Sequence, residues 1–345
     1  MQATRIKFNK IDNVIFEIPS DYYSSLNSFI NSCKVYSKGD NIFLYYLDWE
    51  KYKICVFSEI NTVPNIINFR EHKSYINLDP KSDIEIFENE IRIFSDIDQK
   101  LLVIDHQGNK VDIIDLKNFC NDQSNIVAIS YYDKNFKYLN NKYYFRIAYT
   151  DIVLNSKESI SNYFKRPACC IADIENNIGH LSVAFPHNYQ KGNFYGDTDF
   201  SFCLGPENNI ICSFASNDSL FVYSNNNLVR KVQAKSKSDP KFNPIDIHKL
   251  SDFAYLRNIV VKSPRYQKII YDSLNNCYYR PFKKEVEQLN DQGLKRRNDE
   301  IPWSLIVLDS KLDIIDEIDM NPSENSLYRI YPIRGGVLII SSLER

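Results

Sequence analysis

The chain has 345 residues with 42 basic and 44 acidic side chains and a formal net charge of −2, so the strong positive field by which proteins gather nucleic acid is missing. Aromatic residues are abundant, 24 Tyr and 21 Phe, which favours strands because such side chains pack well on a pleated, half-buried surface. No run approaches the roughly 18 apolar residues that a membrane-spanning helix needs, and the opening MQATRIKFNKIDNVIFEIP reads as strand rather than signal peptide.

A short pattern returns five times: two or three apolar residues, Asp or Ser, four spacers, then another apolar residue. The copies are VFSEINTV (Val56 to Val63), VIDHQGNK (Val103 to Lys110), IADIENNI (Ile171 to Ile178), VYSNNNLV (Val222 to Val229) and VLDSKLDI (Val307 to Ile314), the second one residue out of step. A recurring sheet-forming unit of this kind marks a radial β architecture with one unit per blade.

In chain order, TRIKF and NVIFEIP supply two strands within residues 3–19. Blade 1 covers about 33–70 with KVYSK, NIFLYYLD and KICVF, and blade 2 about 82–117 with IEIF, IRIF and LLVID. Blade 3 covers about 126–186 with AISYY, YYFRIAY and CCIAD, and its insertion at 151–166 has the apolar spacing of a short helix. Blade 4 covers about 199–235 with FSFCL, IICSF and LFVYS, and KVQAKSKSDPKFNPIDIHK (231–249) then reads as a connection between blades. Blade 5 covers about 252–320, with FAYL as its first strand, RNIVVKS leading on, and SLIVLD after a charged loop at 281–302. Blade 6 joins 328–345 (YRIYP, GVLIISSL) to 3–19, which hides the sheet edges. The expectation is an all-β, single-domain (1–345), six-bladed β-propeller with four antiparallel strands per blade.

Glycine is scarce, nine in all, so the turns must use Asn and Asp, which tolerate positive φ. Eight cysteines form no metal or redox motif. Centring the turn of FCLGPENNIICSF on 206–209 sets Cys203 opposite Cys212, which raises a disulfide as a hypothesis.

The segment SPRYQKIIYDSLNNCYYRPFK (Ser263 to Lys283), with FEIP (Phe16 to Pro19), AFPHNYQKGNF (Ala184 to Phe194) and the Trp303 to Asp309 strand, resembles a family of secreted lipoproteins from gut Bacteroidota known only as a domain of unknown function, DUF4221. The resemblance covers nearly the whole chain. It implies a six-bladed propeller like the TolB and NHL groups, in the periplasm or on the outer-membrane surface, held by a lipid anchor. This sequence carries neither a leader nor a lipid-attachment Cys near its start, so a cytoplasmic location is the other reading. No catalytic residues come with the resemblance.

Tyr189, Arg265, Tyr266, Tyr279, Arg280 and Arg329 lie in or beside the family-like segments, with His187 next to them. Tyr and Arg are enriched at binding hot spots and suit a protein, peptide or glycan partner. The structural alternative is that the tyrosines fill sheet packing while the arginines reach water. Asp197 and Asp199 in GDTDF are candidate calcium ligands, although D-x-D also caps a turn. Asp105, Asp173 and Asp309 recur at the repeat turns and read as turn formers. The sequence therefore points to a monomeric, non-enzymatic, cofactor-free binding module, with a calcium-assisted hydrolase of the lactonase or esterase type as the alternative.

Overall fold

Short strands joined by tight turns fold into antiparallel meanders, one after another along the chain. The computed structural model describes residues 33–58, 63–119, 126–128, 136–196, 198, 200–297, 300–322, 327 and 329–339. The first sheet is β1 (Cys33–Lys38), β2 (Asn41–Asp48), β3 (Lys53–Ser58) and β4 (Asn65–Asn68); the second is β5 (Asp83–Ile86), β6 (Ile91–Ser95), β7 (Lys100–Ile104) and β8 (Lys110–Asp115). In the third, β9 (Ile126–Ala128) and β10 (Phe136–Leu139) both pair β11 (Lys142–Tyr149), followed by β12 (Cys169–Asp173) and β13 (Ile178–Ser182). The fourth is β14 (Phe200–Leu204), β15 (Ile210–Phe214), β16 (Ser219–Ser224) and β17 (Asn227–Gln233). In the fifth, β18 (Arg265–Tyr266) and β19 (Ile270–Asp272) both pair β20 (Cys277–Lys283), followed by β21 (Trp303–Leu308) and β22 (Ile314–Met320). A separate hairpin joins β23 (Ile330–Ile333) to β24 (Gly336–Ile339).

The fold is thus all-β and propeller-like, with five complete blades among the described residues where six were expected. The N-terminal strands assigned to blade 6, and FEIP with them, lie outside the described residues. Two compact units hold the sheets: one takes in 33–148 and 170–180, the other 149–169 and 181–339. The first unit's core joins Tyr45, Ile54 and Ile67 of the first sheet to Ile84, Ile93 and Leu102 of the second. The second unit contains a continuous aromatic row in which Phe164, Phe185, Tyr189, Phe200 and Phe214 meet ring to ring.

The turn chemistry matches the repeat. Asp105 accepts from the amides of Gln107 and Asn109, and Asp309 from those of Lys311 and Asp313. Asn fills positive φ at 140, 141, 177, 208, 225, 226 and 276, in place of the missing glycines. The insertion of blade 3 forms α1 (Lys157–Phe164), capped reciprocally by Ser156 and Ser159 and burying Ile160, Tyr163 and Phe164. A further helical turn, α2 (His187–Gln190), follows β13.

Three expectations change. FAYL and RNIVVKS are one helix, α3 (Phe253–Lys262), not strands: Asp252 caps it by accepting from the Tyr255 amide, and no Gly or Pro interrupts the ten residues. The strand of blade 3 that pairs along the start of β11 is β10; AISYY contributes only Ala128, at the end of β9, and 129–132 lie outside the described residues. Cys203 and Cys212 are not joined by a disulfide. Cys203 stands opposite Ile211, and Cys212 opposite Phe202, because Glu207 and Asn208 both take positive φ and set a five-residue loop. A shift of one residue sends the two thiols to opposite faces.

The sheets are separate ladders, so the seams between consecutive sheets rely on packing, on side chains that reach backbone groups across them and, between the fourth and fifth, on one backbone bond from the Tyr266 amide to Ala215 O (2.9 Å). Tyr52 Oη bonds Ile76 O and the Leu78 amide. Gln99 donates to Ala128 O and accepts from its amide. Tyr223 Oη does the same with Ala184, and Tyr266 Oη accepts from the Ser236 amide while donating to Asp218. Tyr52 and Gln99 precede the third strand of their sheets and both hold positive φ, 54° and 59°, at a cost of about 1–2 kcal/mol each.

The densest of these contacts belongs to Arg280, which is fully buried. Its guanidinium donates to Ser213 Oγ (2.9 Å), Asp218 O (3.0 Å), Ala234 O (2.9 Å) and Asn217 O (2.7 Å), and lies 3.6 Å from the Tyr266 ring centroid. Burial pulls its pKa down to about 10, with Tyr266 and Asp218 opposing, so it stays charged at neutral pH.

Arg280→Ala strands four acceptors and should cost roughly 3–5 kcal/mol in urea unfolding. Arg280→Lys should recover less than half of that, since one ammonium cannot span the set; a loss under about 1 kcal/mol for Arg280→Ala would show that the seam does not depend on it.

Lys283 is also buried, its Nζ donating to Val261 O (2.6 Å) and Ser263 O (2.5 Å) at the end of α3. Burial, helped by Arg265 and opposed by Glu285, lowers its pKa to about 7. Above pH 7 the folded chain has released a proton that the unfolded chain keeps until about pH 10.4, so this group makes stability rise with pH in that window, by up to about 1.4 kcal/mol per pH unit. Unfolding between pH 7 and 8.5 should show a slope more positive for the wild type than for Lys283→Met; equal slopes would contradict it.

Candidate functional site

The pleat decides what the first sheet presents. Phe43 and Tyr45 on β2, Val56 and Ser58 on β3, and Asn65 and Ile67 on β4 share one face, with Tyr45 opposite Val56, Val56 opposite Asn65, and Phe43 opposite Ser58. Tyr45 and Ile67 are buried in the core below, while Phe43, Val56 and Ser58 are half-buried and Asn65 is exposed. Together with Val63 at the rim and His106 from the β7–β8 turn, they line a groove of about 240 Å³.

The second sheet supplies His106 through a fixed turn. Asp105 organises the turn, and Gly108 (φ +92°) lets it lie against β4: a Cβ there would sit 2.4 Å from Asn68 O. His72 Nε2, 3.0 Å from Gly108 O, ties the same turn to the segment after β4. His106 Nε2 lies 3.0 Å from Phe87 O and donates to it, since a carbonyl can only accept.

Beyond His106 the surroundings are charged but internally paired. The Arg92 guanidinium packs on Tyr138 (3.2 Å to the centroid) and Phe87 (4.5 Å) and pairs with Glu90. On the first strands, Lys34 pairs with Asp83 (3.4 Å) and Lys137 with Glu85 (3.7 Å). Burial raises the Glu85 pKa although Lys137, Lys34 and Arg92 pull the other way. The groove lining contains no Asp, Glu, Lys or Arg.

The residues singled out from the sequence lie elsewhere. Tyr189, Tyr266, Tyr279 and Arg280 are buried and engaged: Tyr189 Oη accepts from the Ser216 amide, next to the Asn217 carbonyl that Arg280 holds, and Tyr279 Oη donates to Asp272. Arg265 is half-buried against Gly196 and donates to Tyr195 O (3.2 Å). His187 is exposed at the start of α2, and Arg329 is half-buried just before β23. The structure thus brings Tyr189, Tyr266 and Arg280 into one internal network. Asp197 and Asp199 lie outside the described residues, and among those described no three His, Cys, Asp or Glu side chains are placed to hold a metal ion. The groove residues were missed from the sequence; the alternating aromatics of NIFLYYLD and the histidine in the repeat turn VIDHQGNK were the available signals.

Residues 28–319 match the model of a domain of unknown function, DUF4221. Among solved structures, a DUF4221 member from Bacteroides vulgatus is similar at TM-score 0.69 and 19% identity, over 90% of this chain and 86% of its own. A protein of unknown function from Bacteroides caccae (TM-score 0.39, 10% identity, 84% and 81% covered) and virginiamycin B lyase from Staphylococcus aureus (TM-score 0.42, 10% identity, 90% and 92% covered) are more distant, too distant to carry a functional statement. A search of the curated proteins found no match. The Bacteroides vulgatus likeness shows a shared fold, and with the family match extending from residue 28 to residue 319, the chain belongs to the DUF4221 family.

Proposed function

We propose that this protein is a non-enzymatic binding module of the bacterial cell envelope, acting as a monomer and taking its ligand in the groove on the first sheet. The observation that carries the reading is the groove itself: a concave surface with aromatic walls and a few convergent polar groups. The buried network of Tyr189, Tyr266 and Arg280, by contrast, is engaged with backbone groups. The envelope placement, in the periplasm or on the outer-membrane surface, is supported by the resemblance to secreted lipoproteins. Among the described residues no helix is long and apolar enough to cross a membrane. In the same reading the ring has six blades.

Asn65 is exposed on a four-residue strand, so Asn65→Trp should fill the groove without unfolding the protein. A ligand at a hundredfold its Kd stabilises by about 2.7 kcal/mol. In a thermal-shift screen of small polar and aromatic compounds, those that raise Tm for the wild type should lose the effect on Asn65→Trp; hits indifferent to the substitution would place the site elsewhere.

A further inference from the structure

Helix α3 is held by its ends rather than by its own packing. Among its described side chains none is buried, and Phe253 is 78% exposed. A helix of ten residues is marginal by itself in water, so its attachments decide whether it stays in place. The N-terminal end is tied locally: Asp252 accepts from the Tyr255 amide, and Tyr255 Oη from the Asp246 amide. The C-terminal end is tied to β20 and the residues after it. Lys283 Nζ donates to Val261 O and Ser263 O, the Val286 amide donates to Lys262 O (3.3 Å), and Lys262 pairs with Glu287 (2.6 Å). Lys283 is the buried member of that set.

We infer that α3 is a flap worked by one proton at Lys283: protonation releases the C-terminal end of the helix from β20, and deprotonation seats it. The donor count carries the inference. A neutral amine has two N–H groups, and the site gives it two acceptors, Val261 O and Ser263 O. An ammonium has a third N–H and a charge, and among the described residues Lys283 has no ion-pair partner to answer either. Of the acids nearby, Glu287 pairs with Lys262 and Asp319 with Lys284, which leaves Glu285 as the one that favours the cation. Arg265, opposite Lys283 on β18, adds a like charge, and β21, which sets Trp303 opposite it, carries no charged residue.

The negative end of the helix dipole also favours the cation. Burial, with Arg265 adding to it, outweighs this and Glu285 and pulls the Lys283 pKa down to about 7. With the flap open the amine meets water, and its pKa returns to about 10.4. The open form therefore holds the proton more tightly. Opening is easiest below pH 7 and becomes harder as the pH rises from there to about 10.4. Ile259 and Val261, half-buried in the seated helix, are the apolar surface that acid would offer.

Hydrogen exchange of the full chain between pH 7.5 and 9, corrected for the intrinsic rate at each pH, tests the flap. Protection of the α3 amides at 258–262 should rise about twentyfold across that range while staying below that of β15. Lys283→Met and Lys283→Arg have no amine that titrates there, and in both the rise should be absent. Melting curves and far-UV circular dichroism check that each variant is folded, and either one alone suffices for the comparison. A flat profile in the wild type would overturn the inference, with or without the variants. A rise that persists in a folded variant would assign the proton to another group and overturn it too. Protection of α3 equal to that of β15 at every pH would show that the helix opens only with the whole fold, and that it is no flap.

Discussion

Sheets that share no ladder must be held together by something other than backbone pairing, and here that task falls on buried polar side chains aimed at backbone groups. Arg280 is the extreme case. A fully buried cation is tolerable only when nearly every donor finds an acceptor, and Ser213, Asn217, Asp218 and Ala234 surround it in that way. Tyr266 closes the remaining side with its ring and then uses its hydroxyl on Asp218 and Ser236. The fourth and fifth sheets are therefore fixed by direction-specific bonds as well as by apolar packing, which alone would permit sliding.

The same constraint explains the family-like segment. In YDSLNNCYYRPF, Asp272 shapes the turn by accepting from Leu274 and Asn275, Tyr279 bonds back to Asp272, and Arg280 points through the opposite face to the neighbouring sheet. The pleat separates adjacent Tyr279 and Arg280 into two different jobs. Tyr189, Tyr266, Tyr279 and Arg280 are engaged inside the fold for this reason, while the groove proposed for a ligand lies on the first sheet, where Phe43 and Val56 are half-buried and Asn65 is exposed.

Local features were legible in the sequence. The turns at Asp105 and Asp309 depend only on four or five neighbouring residues, and the helix at 157–164 on its own cap and spacing. What failed needed longer range. The β-branched Ile-Val-Val of RNIVVKS suggested strand, yet the Asp252 cap and the room beside β20, where Lys283 receives the helix end, decided for α3. Cys203 and Cys212 were paired by counting, and two positive-φ residues in the loop moved the register by one. The groove could not be read at all from local pattern, because it requires the register of β2, β3 and β4 together with a histidine delivered by the next sheet. Arginine is so seldom fully buried that Arg280 invites a surface reading until its partners are seen.

Hydrogen exchange at the backbone amides that these side chains hold tests the central claim most directly. Leu78, Ala128, Ala184, Ser216 and Ser236 lie outside sheet interiors or at their ends, and each donates to a side chain across a seam. If the seams are held by those bonds, the five amides should exchange only through cooperative opening, as slowly as the middle strands β6, β15 and β21. Exchange at the rate of the exposed turn at 225–226 would show that packing alone holds the sheets together.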